Sequence, residues 1–224
     1  MGILYIVGTP IGNLKDITLR ALEVLKTCDI ILAEDTRVTK KLLNHYEIKK
    51  NVWRYDEYAG EKVYKDVENL LKEGKDVALV TDAGTPGIAD PGWKMVKYIR
   101  DNQSNVSIIP IPGASSVITL LSASGINGDT FTFVGYPPHK KGRNKFFDEL
   151  KNVQVTPIVF FESPFRVQKS FDDVLRVFGV DTQIIVGKEL TKVFEEIWSG
   201  TTEEAKKYFV GSKLKGEFVV IINI

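Results

Sequence analysis

At 224 residues the chain holds one large domain or two of roughly 110 residues, because domains commonly take about 100–200 residues. Its 43% hydrophobic and 26% charged residues exclude a disordered chain, and a net charge of +1 excludes a surface that binds nucleic acid everywhere, so any such contact is local. The lone cysteine, Cys28, excludes an intrachain disulfide and a cysteine-based zinc site, which points to a reducing cytoplasm.

Met1 to Val7 has no positive segment ahead of its apolar run and is stopped by Gly8, so it is no signal peptide, and Ile3 to Val7 reads as a first strand. Ile30 to Ala33, Val77 to Val80 and Val106 to Ile111 read as further strands, apolar on both faces and bounded by loop residues. Between them, Val63, Val67, Leu70 and Leu71 mark one face of a helix. Strand alternating with helix predicts right-handed crossovers and a mostly parallel sheet. A second series has strands at Phe131 to Val134, Ile158 to Phe161, Ile184 to Val186 and Phe218 to Ile222, with a helix over Phe165 to Phe178. Thr201 followed by Glu204 predicts a capping box and a helix to about Phe209. Gly125 to Asp129 clusters glycine and short polar residues, which predicts domains of 1–124 and 125–224. No apolar run approaches the roughly 18 residues of a membrane span.

Three loops, Gly8 to Leu14, Asp82 to Gly92 and Pro112 to Ser116, each follow an apolar run and precede a helical pattern. In an open α/β sheet such loops lie side by side at the carboxyl ends of the strands, where small ligands bind. Glycine allows close backbone approach and proline stiffens the turn, which suits a cofactor. Neither a dinucleotide fingerprint nor a Walker phosphate loop is present, and His45 and His139 lie far apart in sequence and outside these loops. Chemistry without metal or imidazole is therefore expected.

Thr9 to Leu14, Ala33 to Arg37, Asp82 to Gly92, Glu162 to Arg166, Lys188 to Lys192 and Lys215 to Phe218 follow one another along nearly the whole chain. In that order they resemble the ribosomal RNA small-subunit methyltransferase I family of the tetrapyrrole-methylase type. The resemblance implies an α/β fold of two domains, the first with a mostly parallel sheet and the second with a mixed one, and a cleft between them for S-adenosylmethionine. It implies cofactor contacts at Pro10, Gly12, Ala83, Gly84, Thr85, Ile88, Ser115, Ser116, Phe161, Glu162, Gly216 and Glu217. Ser115 and Ser116 equally suit helix capping. Phe165 stands where family members often carry histidine or another aromatic, which keeps a stacking surface without a proton to give.

The implied reaction is 2′-O-methylation of a decoding-region cytidine in 16S ribosomal RNA. Methyl transfer from a sulfonium needs mainly alignment, which supplies roughly 7–11 kcal/mol, whereas a general base adds about 10²–10⁴-fold. Asp35, Lys188 and Glu189 are the candidate catalytic residues. Arg37, Arg166 and Lys192, with Lys140, Lys141, Arg143 and Lys145 of the densest basic run, are candidate RNA contacts, the basic run reading otherwise as a solvated face. The expected partners are small-subunit ribosomal RNA or the 30S subunit and a second copy of the chain in a homodimer, with no membrane and no metal. The competing readings are a tetrapyrrole methyltransferase of the same superfamily and a non-catalytic RNA-binding assembly factor.

Overall fold

The computed structural model describes residues 1–103 and 105–224. The chain divides into two compact units, Met1–Ser115 and Ser116–Ile224.

The first unit runs β1 (Ile3–Val7), α1 (Leu19–Thr27), β2 (Ile30–Ala33), α2 (Thr36–His45), β3 (Asn51–Arg54), α3 (Glu61–Lys72), β4 (Val77–Val80), α4 (Gly92–Asn102) and β5 (Ser107–Ile111). Its sheet has the order β3-β2-β4-β1-β5, and every pair is parallel. β2 and β4 are buried along their whole length because alternate residues enter opposite cores. Ile31, Ala33, Ala78 and Val80 pack toward α1 and α2 with Leu25 and Leu43, whereas Ile30, Leu32, Val77 and Leu79 pack toward α3 and α4 with Leu71 and Ile99. Helices on both faces of the sheet thus explain why these strands read as continuous apolar runs. No apolar run marks β3, an edge strand with half-exposed and exposed residues only. An edge strand has one neighbour and little core to face, so it needs none.

The second unit runs α5 (Ser116–Ala123), β6 (Thr132–Phe133), α6 (Arg143–Leu150), β7 (Ile158–Glu162), α7 (Val167–Phe178), β8 (Gln183–Lys188), β9 (Glu196–Thr201), α8 (Thr202–Tyr208) and β10 (Phe218–Asn223). The sheet order is β6-β7-β10-β8-β9, parallel only between β6 and β7, which makes it mixed. One core joins Phe160, Val186, Val220 and Ile222 to Phe147, Phe171, Val174 and Phe209. The capping box at Thr201 is present: its N–H donates to Glu204 at 2.8 Å and its hydroxyl accepts from the Glu204 N–H at 3.2 Å. α7 starts at Val167, two residues inside the expected span, and leaves Phe165 on the preceding turn. Helix α5 belongs with the second unit, so the division falls at Ser115 and Ser116, ahead of the glycine-rich connection at 125–129. Among the described residues no helix is long and apolar enough to cross a membrane.

Candidate functional site

The three loops expected from the sequence leave the carboxyl ends of β1, β4 and β5, which are neighbours in the sheet. They are stitched together by backbone. The Thr9 N–H donates to the Gly84 carbonyl at 2.9 Å, the Gly84 N–H returns to Thr9 at 3.1 Å, and the Thr9 hydroxyl donates to the Thr81 carbonyl at 3.1 Å. Gly8 and Gly113 touch so closely that a Cβ on Gly8 would sit 2.8 Å from the Gly113 backbone, so both positions require glycine. The Thr85 hydroxyl ties the second loop to Ala114 at 3.3 Å. Asp90 closes the Asp82 to Gly92 loop on itself by accepting from the N–H groups of Gly87 at 2.8 Å and Gly92 at 2.7 Å. A rim braced in this way meets a ligand without first being ordered.

Gly84 has a φ of +84°, and a Cβ there would lie 3.4 Å from Ile11 and 3.5 Å from the Ala114 carbonyl, in the gap between loops. That gap is kept clear by the absence of a side chain. Pro10 is buried under the rim, Gly12, Ala83 and Ile88 are exposed on it, and Thr85 and Ser115 are half-buried. The residues fit a cofactor that approaches along the backbone.

Beside this rim, at the carboxyl end of β2, an open depression of about 570 Å³ is lined by Glu34, Asp35, Thr36, Arg37, Arg54 and Asp56. Asp35 caps α2 by accepting from the Arg37 N–H at 2.8 Å, and the Arg37 guanidinium grips the same carboxylate at 2.6 Å. Those Arg37 bonds hold the Asp35 carboxyl far below the usual carboxylate range. Glu34, a member of the same charged cluster that was not singled out as catalytic, behaves oppositely. Its carboxyl is pushed up by burial and by the neighbouring Asp82, Asp90 and Asp56, against the lowering effect of the Thr81 hydroxyl, which donates to it at 3.1 Å. Asp82 accepts from the Asp35 N–H at 2.9 Å and so fixes the end of β2 to the loop after β4.

In the second unit, Glu189 and Thr191 follow β8 with positive φ. The Glu189 carboxylate lies against Gly216, where a Cβ would come within 2.3 Å of the Glu189 side chain. It accepts from Lys192 at 2.8 Å and from the Glu217 N–H at 3.0 Å, and Lys192 also reaches Glu217 at 2.9 Å. Burial raises the Glu189 carboxyl, but Lys192, the Glu217 N–H and Lys188 outweigh it and hold it below its ordinary value. Lys188 is buried and pairs with Glu196 at 3.6 Å. The carboxylate of Glu189 is thus a strut between two turns, and like that of Asp35 it resists taking a proton.

Arg143 corrects an expectation. It belongs to the basic run but is 1% exposed, whereas Lys140, Lys141 and Lys145 are exposed. Its guanidinium donates to Asp173 at 2.7 Å and Ser170 at 2.8 Å and lies 3.5 Å from Glu162, all buried. A side chain so enclosed cannot grip a phosphate, and it anchors α6 to α7 instead. The carboxylate of Glu162 is likewise committed: it accepts from Ser170 at 2.6 Å and from the Ser163 N–H at 2.8 Å, and it pairs with Arg166 at 2.9 Å. It is left with no free oxygen to meet a cofactor. Ser170 and Asp173 were invisible as site residues because nothing in their helical spacing marks a partner on another element.

The model of the tetrapyrrole (corrin/porphyrin) methylases matches residues 3–206. The ribosomal RNA small subunit methyltransferase I of Halalkalibacterium halodurans is 43% identical over 223 residues, covering 99% of this chain and 76% of the relative. Its namesake from Thermotoga maritima is 43% identical over 223 residues, covering 100% of this chain and 99% of the relative. Among solved structures, cobalt precorrin-4 methyltransferase matches with a TM-score of 0.70 at 21% identity, over 98% of this chain and 94% of that one, which shows a shared fold. The chain therefore belongs to the ribosomal RNA small subunit methyltransferase I family, within the tetrapyrrole (corrin/porphyrin) methylases.

Proposed function

We propose that the chain transfers a methyl group from S-adenosylmethionine to small-subunit ribosomal RNA, at the ribose 2′-hydroxyl of a decoding-region cytidine. The observation that carries this reading is identity of 43% over nearly the whole chain to relatives named for that RNA, combined with a braced glycine rim at the strand ends. When bound, the cofactor supplies an activated methyl group, so the protein's task is alignment. The backbone around Gly12, Ala83, Gly84 and Thr85, with Pro10, Ile88, Ser115 and Ser116, holds it on the first unit. In the second unit, Phe161, Gly216, Glu217 and the backbone of Glu162 are further candidate cofactor contacts. Arg37 on the first unit and Lys192 on the second are candidate acceptor contacts, Arg166 is instead committed to Glu162, Ser163 and Pro137, and the exposed Lys140, Lys141 and Lys145 hold phosphates.

The acceptor hydroxyl must lose its proton as the methyl group arrives. Glu34 is suited to accept it, because it borders the open depression and its burial makes the carboxylate more basic than usual. Asp35 then fixes the start of α2 beside Glu34, and in the second unit Lys188 and Glu189 brace the turn after β8. Incubating small subunits with the protein and labelled S-adenosylmethionine, followed by mass mapping of methylated ribose, tests the reading. One methylated cytidine in the small-subunit RNA is expected, and label found only in corrinoid or porphyrin precursors, or none at all, refutes it.

The cofactor assignment has its own check. Gly84→Ala places a methyl group in the gap beside Ile11 at a φ of +84°, which costs about 1 kcal/mol of stability and leaves a folded protein. Calorimetry should show a marked loss of affinity for S-adenosylmethionine; unchanged affinity in the folded variant removes Gly84 from the site. A homodimer is also expected. Light scattering at micromolar concentration should give twice the chain mass of 25.1 kDa, and a single-chain species at that concentration rules the dimer out.

A further inference from the structure

The turn after β7 and the segment ahead of the lysines are pinned to one another by buried charge. Arg166 pairs with Glu162 at 2.9 Å and donates to the Ser163 hydroxyl at 3.0 Å and to the Pro137 carbonyl at 3.3 Å. Arg143 lies 3.5 Å from the other oxygen of the same carboxylate and donates to the Pro138 carbonyl at 3.2 Å. One buried carboxylate therefore fixes, through two guanidinium groups, both the 163–166 turn and the root of the lysine-bearing segment. Such an arrangement is costly to desolvate, and it rigidifies what it holds.

What it holds outward is aromatic. Phe165 is 94% exposed on the turn, and Tyr136 is 53% exposed one residue ahead of Pro137. The Tyr136 ring is backed by Phe161 at a centroid distance of 5.2 Å, and Phe161 in turn by Phe133 at 4.9 Å. A single exposed apolar side chain needs no explanation. Two rings at one charge-pinned junction, with the exposed Lys140 and Lys141 four and five residues after Tyr136, match the combination that binds single-stranded nucleic acid, stacking faces beside backbone-neutralising cations.

We propose that Tyr136 and Phe165 form a stacking surface for unpaired bases of the RNA, with Lys140 and Lys141 on the flanking phosphates and the Glu162, Arg143 and Arg166 network setting the spacing between them. Paired bases hide their faces in the duplex, so the surface selects a single-stranded segment. The proposal rests on the RNA reading above, but its test is binding and not methyl transfer.

The experiment measures affinity of the full chain for a single-stranded oligoribonucleotide of decoding-region sequence and for its duplex. Wild type should prefer the single strand. Phe165→Ala should weaken that binding by about tenfold or more, Phe165→Trp should restore it and Phe165→Leu should not, all with an unchanged melting midpoint because the ring is exposed. Overturning results are no measurable binding of the single strand, preference for the duplex, equal affinity of Phe165→Ala and wild type, or a change in oligomeric state in place of RNA affinity. Normal methylation of small-subunit RNA with Phe165→Ala binding unchanged defeats this proposal alone. Phe165-dependent binding without any methylation defeats the proposed function alone.

Discussion

Arg143→Met is expected to destabilise the second unit by about 3–5 kcal/mol, because it strips a partner from carboxylates that stay buried. Asp173 loses its bond of 2.7 Å, and Glu162 loses one of its two guanidinium partners. The packing of the guanidinium over Phe147, 5.1 Å from the ring centroid, goes with them. Urea denaturation followed by the tryptophan signal should show this as a lower midpoint. The triple variant Lys140→Ala, Lys141→Ala, Lys145→Ala should leave the midpoint nearly unchanged, since these side chains are exposed. It should instead flatten the salt dependence of RNA binding by about 0.7–0.9 log units for each phosphate that is no longer neutralised. A stable Arg143→Met protein with weakened RNA binding would return that arginine to the RNA-binding surface.

The second large effect concerns the proton. Glu34→Gln should lower the single-turnover methyl-transfer rate by roughly 10²-fold or more, with cofactor and RNA affinity nearly kept. Asp35→Asn should slow that step far less, since the Asp35 carboxyl is held ionised by Arg37 and is a poor proton acceptor. The rate in the wild type should fall as pH drops through the Glu34 titration, which burial places above its ordinary 4.5, and this acid limb should vanish in the glutamine variant. The same raised value acts on stability with the opposite sign. The folded state binds more protons at Glu34 than the unfolded one in that window, so stability falls as pH rises through it. Glu34→Gln should therefore be no less stable than wild type at neutral pH while losing activity, the pattern of a residue kept for chemistry. Wild-type rate and pH profile in Glu34→Gln would end the assignment.

Much of the architecture was legible in the sequence because its signals are local. The apolar runs at Ile3 to Val7, Ile30 to Ala33 and Val77 to Val80 are strands within the same limits, and the Thr201 and Glu204 pair caps a helix as expected. The loops after β1, β4 and β5 were legible too, since glycine and proline declare turn geometry in their own positions. Edge strands β3 and β9 were not, because their burial is slight and their residues are chosen by a single neighbour.

The charged residues divide along the same line. Sequence alone marked Ala33 to Arg37 and the run from His139 to Lys145 as chemically loaded, but a charge's role depends on what surrounds it after folding. Within the first cluster, adjacent carboxylates take opposite characters, Asp35 clamped by Arg37 and Glu34 desolvated between the ends of β2 and β4. Within the second, the helical phase of α6 turns Arg143 inward to Asp173, 30 residues away, and leaves Lys145 in water, while Lys140 and Lys141 are exposed on the segment ahead of the helix. The chain's own order determined which elements form and where the loops fall; the packing of elements distant in sequence decided which side chains are buried, paired or free, because desolvation and Coulomb attraction act through space.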